Sequence, residues 1–376
     1  MENVEIVGAG IWGLTLALAL HRSGIASTVY ERSSDPTDAG TGIILALNAM
    51  QVLDRLGLRE AIEGASAHCA AMDVTDAKLA PLSRIDLAGH ETKFATTARA
   101  IHRADLQRLL IQALPADTVR YGHEVVDISI ADDRALLQFA GGEKLETSCL
   151  IGADGIGSRI REQCLIHNEI VPSGQTCWRG VAPFKLPSNL TGRLTEVWGR
   201  SGRLGFVEVS AGRVYWYIVA RTDAPQGFQA VRTELSGANP WIADLLPTGV
   251  DASAHRSELA DLKLQGSWQR GPVCLIGDAA HAVTPNLGQG GCQAIEDAWV
   301  LSRTLAREQD ARTAFADFYE TRRRKVSDVA RRSRLLGQLS HWTNPLASAA
   351  RNRVMRMLPG AANDAFLTRL YTLELD

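Results

Sequence analysis

The hexapeptide GAGIWG at 8–13 constrains this chain more than any other stretch. It follows the apolar run VEIVG and leads into LTLALALHRSG, which reads as a helix ending at Gly24. Gly8, Gly10 and Gly13 therefore stand as G-x-G-x-x-G between a predicted strand and a predicted helix. In such a turn the first glycine makes the tight bend, the second lets backbone amides approach a pyrophosphate, and the third lets helix and strand pack closely. The helix N-terminus adds amide donors and a partial positive charge. The next strand, STVYE, ends at Glu31, where a carboxylate can accept hydrogen bonds from an adenosine ribose and repel a 2′-phosphate. The turn fits FAD or NAD and does not choose between them.

A second glycine-rich stretch, GDAAHAVTPNLGQGG at 277–291, does choose. The apolar run PVCLIG delivers Asp278 at a strand end, a loop containing Pro285 follows, and Gly288, Gly290 and Gly291 open another helix. Asp278 can bond polyol hydroxyls. The amides of Gly288 to Cys292 can point at an acceptor on a ring, with the helix dipole behind them. A ribityl chain and a flavin ring meet those needs, and NAD has no ribityl chain. A third signal, LIGADG at 150–155, again sets an acid, Asp154, after a buried-strand run.

With 376 residues the chain is long enough for two domains. A net charge of −2 points away from nucleic-acid partners. Its six cysteines form no CxxC pair or metal-ligand cluster, so they read as reduced, buried thiols in a cytoplasmic protein. No apolar run is long enough for a membrane span. From about 172 to 264 the segments TEVWG, LGFVEVS and RVYWYIVA alternate like an antiparallel sheet with one wet face. The expected fold is α/β (α+β): a FAD-binding Rossmann-like βαβ domain with an inserted, mostly antiparallel β-sheet substrate domain and C-terminal helices. Residues 1–70, 98–171 and 265–310 make the FAD-binding domain, 71–97 and 172–264 the substrate domain, and 311–376 the helical segment.

GAGIWG…YE, ADG and GDAAHAVTPNLGQGG, together with HRADL at 102–106, resemble the FAD-dependent aromatic hydroxylases of the p-hydroxybenzoate hydroxylase type along nearly the whole chain. TGIILALNA, SGQTCWRGVAP, EVWGRSGRLGF and the stretch from RLLGQLSHW to RMLPGAAN resemble, more narrowly, the alkylquinolone 3-hydroxylases. Parts of the second loop and of the AGRVY region are similar to FAD-dependent urate hydroxylases. The resemblance implies that Gly8, Gly10 and Gly13 hold the pyrophosphate, and that Glu31, with Arg32 beside it, meets the ribose. Arg103 would reach the ribityl–phosphate region, Val125 would offer backbone to the adenine, and Asp154 would serve both FAD and the nicotinamide donor. Asp278 would bind the ribityl chain, Pro285 would wall the ring, and Gly288, Gly290, Gly291 and Cys292 would supply amides. Many relatives carry Asn where this chain has Cys292, so only the amide role carries over.

The implied activity is hydroxylation of an aromatic or heteroaromatic small molecule through a flavin C4a-hydroperoxide, with NADH or NADPH and O2 as co-substrates. An alkylquinolone-like ring is the first substrate class, and a urate-type or other heterocycle hydroxylase or epoxidase the second. A flavin halogenase is disfavoured by the missing Trp-x-Trp-x-Ile-Pro signature, and a flavin-free binding protein by the intact second loop. The family's habit implies a monomer or homodimer. Candidates to contact substrate are Trp178, Trp198, Phe206 and Tyr217, with Arg203 and Tyr215 expected to polarise or orient it. An aromatic on an alternating strand is more often core than contact. Glu208 could be a base or a strand surface residue, and His281 a chemical group or a loop bond. The basic tail from Pro345 places Leu346, Ala350, Val354 and Leu358 on one face, read as packing over the substrate mouth rather than as a membrane anchor.

Overall fold

The computed structural model describes residues 3–35, 40–165, 169–249, 254–263, 266–308, 310–342, 344–357 and 360–375. Val4–Val7 is buried throughout, with Glu5 accepting from Asn3, and it takes an inner place in a six-stranded sheet. On one side it pairs in parallel with Ser27–Tyr30, on the other with Leu150–Gly152, which in turn pairs in parallel with Val273–Leu275. Helix Ile11–Arg22 packs between this sheet and helix Gly290–Arg307. The segments that follow these four strands carry Asp278, Asp154, Gly8 and Glu31 within three residues of the strand ends. Four distant pieces of sequence therefore open along one edge of one sheet, where such folds bind ligands.

A second sheet of seven strands runs in the order His255–Leu262, Ile170–Pro183, Arg213–Arg221, Arg203–Ser210, Arg193–Trp198, Ala71–Asp76, Pro81–Asp86. It is antiparallel except where Arg193–Trp198 meets Ala71–Asp76. The expectation of one wet face does not hold, since residues on both faces are buried. Leu204, Phe206, Trp216 and Ile218 form a core with Phe228, Val231 and Leu235 of helix Gly227–Ala238. That helix was not read from the sequence, although GFQAVRTELSGA carries apolar residues at helical spacing. Val207, Val209 and Tyr215 face the other way, into the core shared with the six-stranded sheet.

Register sorts the candidate substrate contacts. Trp198 lies opposite Arg203, and Arg203 opposite Val219; Glu196 lies opposite Gly205, and Gly205 opposite Tyr217. These residues share the face that carries Tyr215. Trp178 and Phe206, expected to contact substrate, lie on the other face, in the core under helix Gly227–Ala238. Trp178 packs 6.1 Å from Phe228, and Phe206 sits edge-on to Trp241 at 5.3 Å. Cross-strand partners share a face, so one position along a strand decides the side.

The chain ends in three helices, Ala311–Ser340, Pro345–Met357 and Gly360–Tyr371. The tail's apolar stripe does not pack over the substrate mouth: Leu346 is 82% exposed and Val354 59%, while Leu358 lies outside the described residues. Helix Pro345–Met357 rests instead on its opposite side, where Arg351 is buried. Among the described residues no helix is long and apolar enough to cross a membrane, and no His/Cys/Asp/Glu group could hold a metal ion. All six cysteines are free and buried.

Candidate flavin and substrate site

The first loop shows why its glycines stand where they do. A Cβ at Gly13 would lie 2.0 Å from the Gly8 carbonyl oxygen, and one at Gly8 would lie 2.5 Å from the Ala153 oxygen. Both enforce close packing. A Cβ at Gly10 would meet nothing within 4 Å. Gly10 thus faces the open space into which the amides at the start of helix Ile11–Arg22 point, and there a pyrophosphate fits. Glu31 accepts from the amides of Ala9 and Ser33, both at 2.9 Å, which fixes its carboxylate at the loop's edge. Arg32 is exposed beside it. Val125 is buried where its strand pairs with Phe139.

Asp154 binds its own loop through Oδ2, which accepts from the amides of Arg159 and Ile160. Its Oδ1 is buried with no partner, an orphaned acceptor facing what a polyol or ribose hydroxyl would fill. Burial pushes its pKa up, against the hydrogen bonds from Ser158 and the loop amides. Asp278 is likewise raised by burial, with His281 and Arg103 pulling it down. Burial lowers Arg103, which lies 5.8 Å from the Trp12 ring and within electrostatic reach of Asp278. Arg161 ties the two acid-bearing loops together by donating to the carbonyls of Ala279 and Ile156.

Trp12 joins the two glycine stretches. A Cβ at Gly291 would come 2.6 Å from its ring, and one at Gly277, whose φ is +56°, would come 3.0 Å from it. Glycine is needed there as much for Trp12 as for any cofactor. Pro285 begins a short 3-10 turn that Gly288 closes at φ +63°. Gly290 starts helix Gly290–Arg307, and its Cβ would have room. The Cys292 thiol donates to the Ile44 carbonyl and accepts from the Ala46 amide, both at 3.4 Å. Burial pushes it up to about 12, so it stays a thiol and pins strand Gly42–Leu45 beneath the loop.

Behind the loop lies a buried ion network that the sequence did not suggest as a unit. Asp297 accepts from His281 Nε2 at 2.5 Å, from the Gly277 amide at 3.0 Å and from Arg322 Nε at 2.8 Å. Arg322 is wholly buried and also pairs with Glu296 and Glu374. Burial alone would raise Asp297, but His281 and Arg322 outweigh it and hold the carboxyl at about 2. His281 is therefore spent on holding the loop, with its ring 4.8 Å from Trp268. Glu208 closes a turn by accepting from the Gly212 amide.

On the sheet face opposite the loop, Glu196 gathers three donors. They are Trp198 Nε1 at 2.6 Å, Tyr217 Oη at 2.7 Å and Arg203 Nη1 at 3.3 Å. Arg203 is almost fully buried, and its Nη2 donates to Asn286 Oδ1 in the second loop. Its Nε has no partner. Burial, followed by the Arg203 charge, pushes His341 down to about 4; its Nδ1 meets the Gly337 carbonyl at 3.0 Å, and its Nε2 is buried without a partner. Arg351 lies over the Trp198 ring at 4.7 Å. Glu196, Asn286 and His341 each lie in a stretch quoted above, but they come from three separate segments and nothing local says that they meet. Tyr215 has no hydrogen bond among the described residues, and burial raises its pKa so that it stays a donor. A Cβ at Gly42 would strike its ring at 2.5 Å.

Known proteins resemble this chain over nearly its whole length. The family described as FAD binding domain matches residues 1–333. Aurachin C monooxygenase/isomerase from Stigmatella aurantiaca is 33% identical, covering 96% of each chain. The 2-heptyl-3-hydroxy-4(1H)-quinolone synthase of Pseudomonas aeruginosa is also 33% identical, covering 98% of each. The crystal structure of Klebsiella pneumoniae HpxO complexed with FAD and uric acid superposes with a TM-score of 0.87 at 26% identity, covering 98% of this chain and 96% of that one.

Proposed function

Because this chain belongs to the FAD-binding family of flavoprotein aromatic monooxygenases, we propose that it hydroxylates an uncharged heteroaromatic ring of the alkylquinolone class, held between the flavin edge and the seven-stranded sheet. The residues at the four strand ends fit FAD: an open cradle at Gly10, a fixed carboxylate at Glu31, an orphaned acceptor on Asp154, and Asp278 with the Arg103 charge within electrostatic reach. When bound, FAD supplies hydride acceptance from NADH or NADPH and the activation of O2.

The observation that carries the substrate class is the Arg203–Glu196 pair. Arg203 would otherwise be a site for an anion, but Glu196 offsets its charge and Asn286 takes a second edge of the guanidinium. Its Nε and the Tyr215 hydroxyl are left as donors, the guanidinium's charge being offset by Glu196, and they suit a ring carbonyl. Tyr217 and Trp198 line the site while their polar atoms are committed to Glu196. The buried walls exclude water from the reacting ring. Names of the curated relatives support this reading, since two of them act on quinolone-type or aurachin rings.

One observation favours a second reading, a urate-type anionic heterocycle. Arg179 shares the same sheet face, donates to Ser257 at 2.6 Å, leaves Nε unpartnered, and has no carboxylate partner among the described residues. Oxidation of NADH and NADPH measured across quinolones, purines and hydroxybenzoates, with product analysis, separates the two. The expected result is coupled oxygenation of a quinolone; oxygenation of urate alone would overturn the first reading. Glu196→Gln unbalances Arg203, so affinity for a neutral quinolone should fall about ten-fold while urate affinity rises. Perturbation of the flavin absorbance by each ligand reads both affinities.

A further inference from the structure

Helix Pro345–Met357 is amphipathic the wrong way round for a packing helix. Its inner side carries Arg351, which stacks on Trp198 and donates to the Leu339 carbonyl at 2.9 Å. Its outer face shows Leu346 at 82%, Val354 at 59% and Met357 at 71% exposure, positions that helical spacing puts within one arc. Near in sequence, Trp342 just after the preceding helix is 43% exposed, and Leu335 in that helix's last turns is 55% exposed. A lone exposed apolar residue is ordinary, but Leu346, Val354 and Met357 share one arc of one helix, and an apolar strip of that kind marks a contact surface.

Charge identifies what that surface meets. The whole chain is slightly acidic, yet between Asp328 and Asp364 it carries no Asp or Glu and six arginines: Arg331, Arg332, Arg334, Arg351, Arg353 and Arg356. Asp328, Asp261 and Asp76, reaching in from their own helix or from neighbouring strands, offset part of this charge. Arg353 has no carboxylate partner among the described residues, and the Arg331 side chain is 77% exposed. Exposed leucine, methionine and tryptophan interleaved with arginine, and no acid in the segment, is the composition of a helix lying in a lipid headgroup layer.

We propose that the outer face of Pro345–Met357, with Trp342 and Leu335, docks the enzyme onto an anionic bilayer surface. The inner side of the same helix touches Trp198 of the substrate face, so docking sets the site against the lipid and lets an oily ring pass without crossing water. The docking claim does not depend on which ring is hydroxylated.

Co-sedimentation of the FAD-loaded full chain tests it, using vesicles of phosphatidylcholine alone and of phosphatidylcholine with phosphatidylglycerol. The expected result is binding to the anionic vesicles only, weakened by salt. The triple variant Leu346→Ser/Val354→Ser/Met357→Ser should lose on the order of ten-fold in vesicle affinity while keeping its flavin and its basal nicotinamide oxidation. Arg353→Glu should weaken binding in the same assay. Absence of wild-type binding overturns the proposal, as does equal binding by the triple variant. A dimer on size-exclusion chromatography that the triple variant splits also overturns it, because a second copy would then cover this face.

Discussion

Replacing Arg322 with methionine is expected to cost about 3–5 kcal/mol of folding stability, the scale on which breaking a buried ion network acts. Arg322 is fully buried and bridges Glu296, Asp297 and Glu374. Methionine fills similar volume, so the loss would come from carboxylates left uncompensated in the core rather than from a cavity. Lys325 still reaches Glu296, at 2.6 Å, but nothing replaces Arg322 at Asp297 except His281. Urea unfolding of wild type and variant measures the difference; a change below about 1 kcal/mol would show that the network is dispensable.

The same site sets an acid limit. The Asp297 carboxyl is held at about 2 against an ordinary 3.8, so its contribution is complete above about pH 4 and is lost as pH falls through about 2. In Arg322→Met one of the two cations lowering that carboxyl is gone, and the acid limb of stability should move to higher pH. Because Asp297 also holds the Gly277 amide and His281, flavin should leave the variant before the chain unfolds.

The second large effect separates two glycines of one motif. Gly13→Ala places a methyl group 2.0 Å from the Gly8 carbonyl oxygen, a backbone atom that cannot swing aside. Strand and helix must part, and the apoprotein should lose about 3 kcal/mol or more. Gly10→Ala meets no protein atom within 4 Å, and its φ of −68° suits alanine, so the apoprotein should keep its melting temperature. Its methyl group instead enters the cradle where the pyrophosphate belongs. FAD affinity should fall on the order of 100-fold, about 3 kcal/mol. Thermal melts of apoprotein and flavin titration together distinguish the two. If Gly10→Ala bound FAD as wild type does, the cradle would lie elsewhere.

What could be read in the sequence was what depends on short-range constraint. The glycine turns, the acids at strand ends and the apolar parallel strands announce themselves within ten or so residues, because turn geometry and burial act locally. The side of a strand is a longer-range fact. Arg203 and Phe206 were both assigned to the substrate wall, yet an odd separation on a regular strand sends two side chains to opposite faces. Whether Trp178 or Tyr217 faces the site could not be read this way, since helix Gly227–Ala238 buries the second face of the sheet. Glu196, Asn286 and His341 converge on Arg203 from a strand, a loop and a helix end, and no local pattern joins them. The tail's stripe was read correctly as a stripe and wrongly as a packing face, because periodicity does not say whether a partner exists.

The lodging of Trp12 against Gly277 and Gly291 has an evolutionary corollary. The indole occupies the room that two absent side chains leave, so the three positions form one steric unit divided between the first turn and the last loop. A lineage that acquired a smaller residue at 12 would be released from glycine at 277 and 291, and one that kept tryptophan would not. Correlated substitution between position 12 and the two glycine positions, more than two hundred and sixty residues away in the chain, is therefore expected among descendants of a common ancestor. Exchange of either half between homologues, by recombination or in the laboratory, should succeed only when both halves come from lineages that made the same choice.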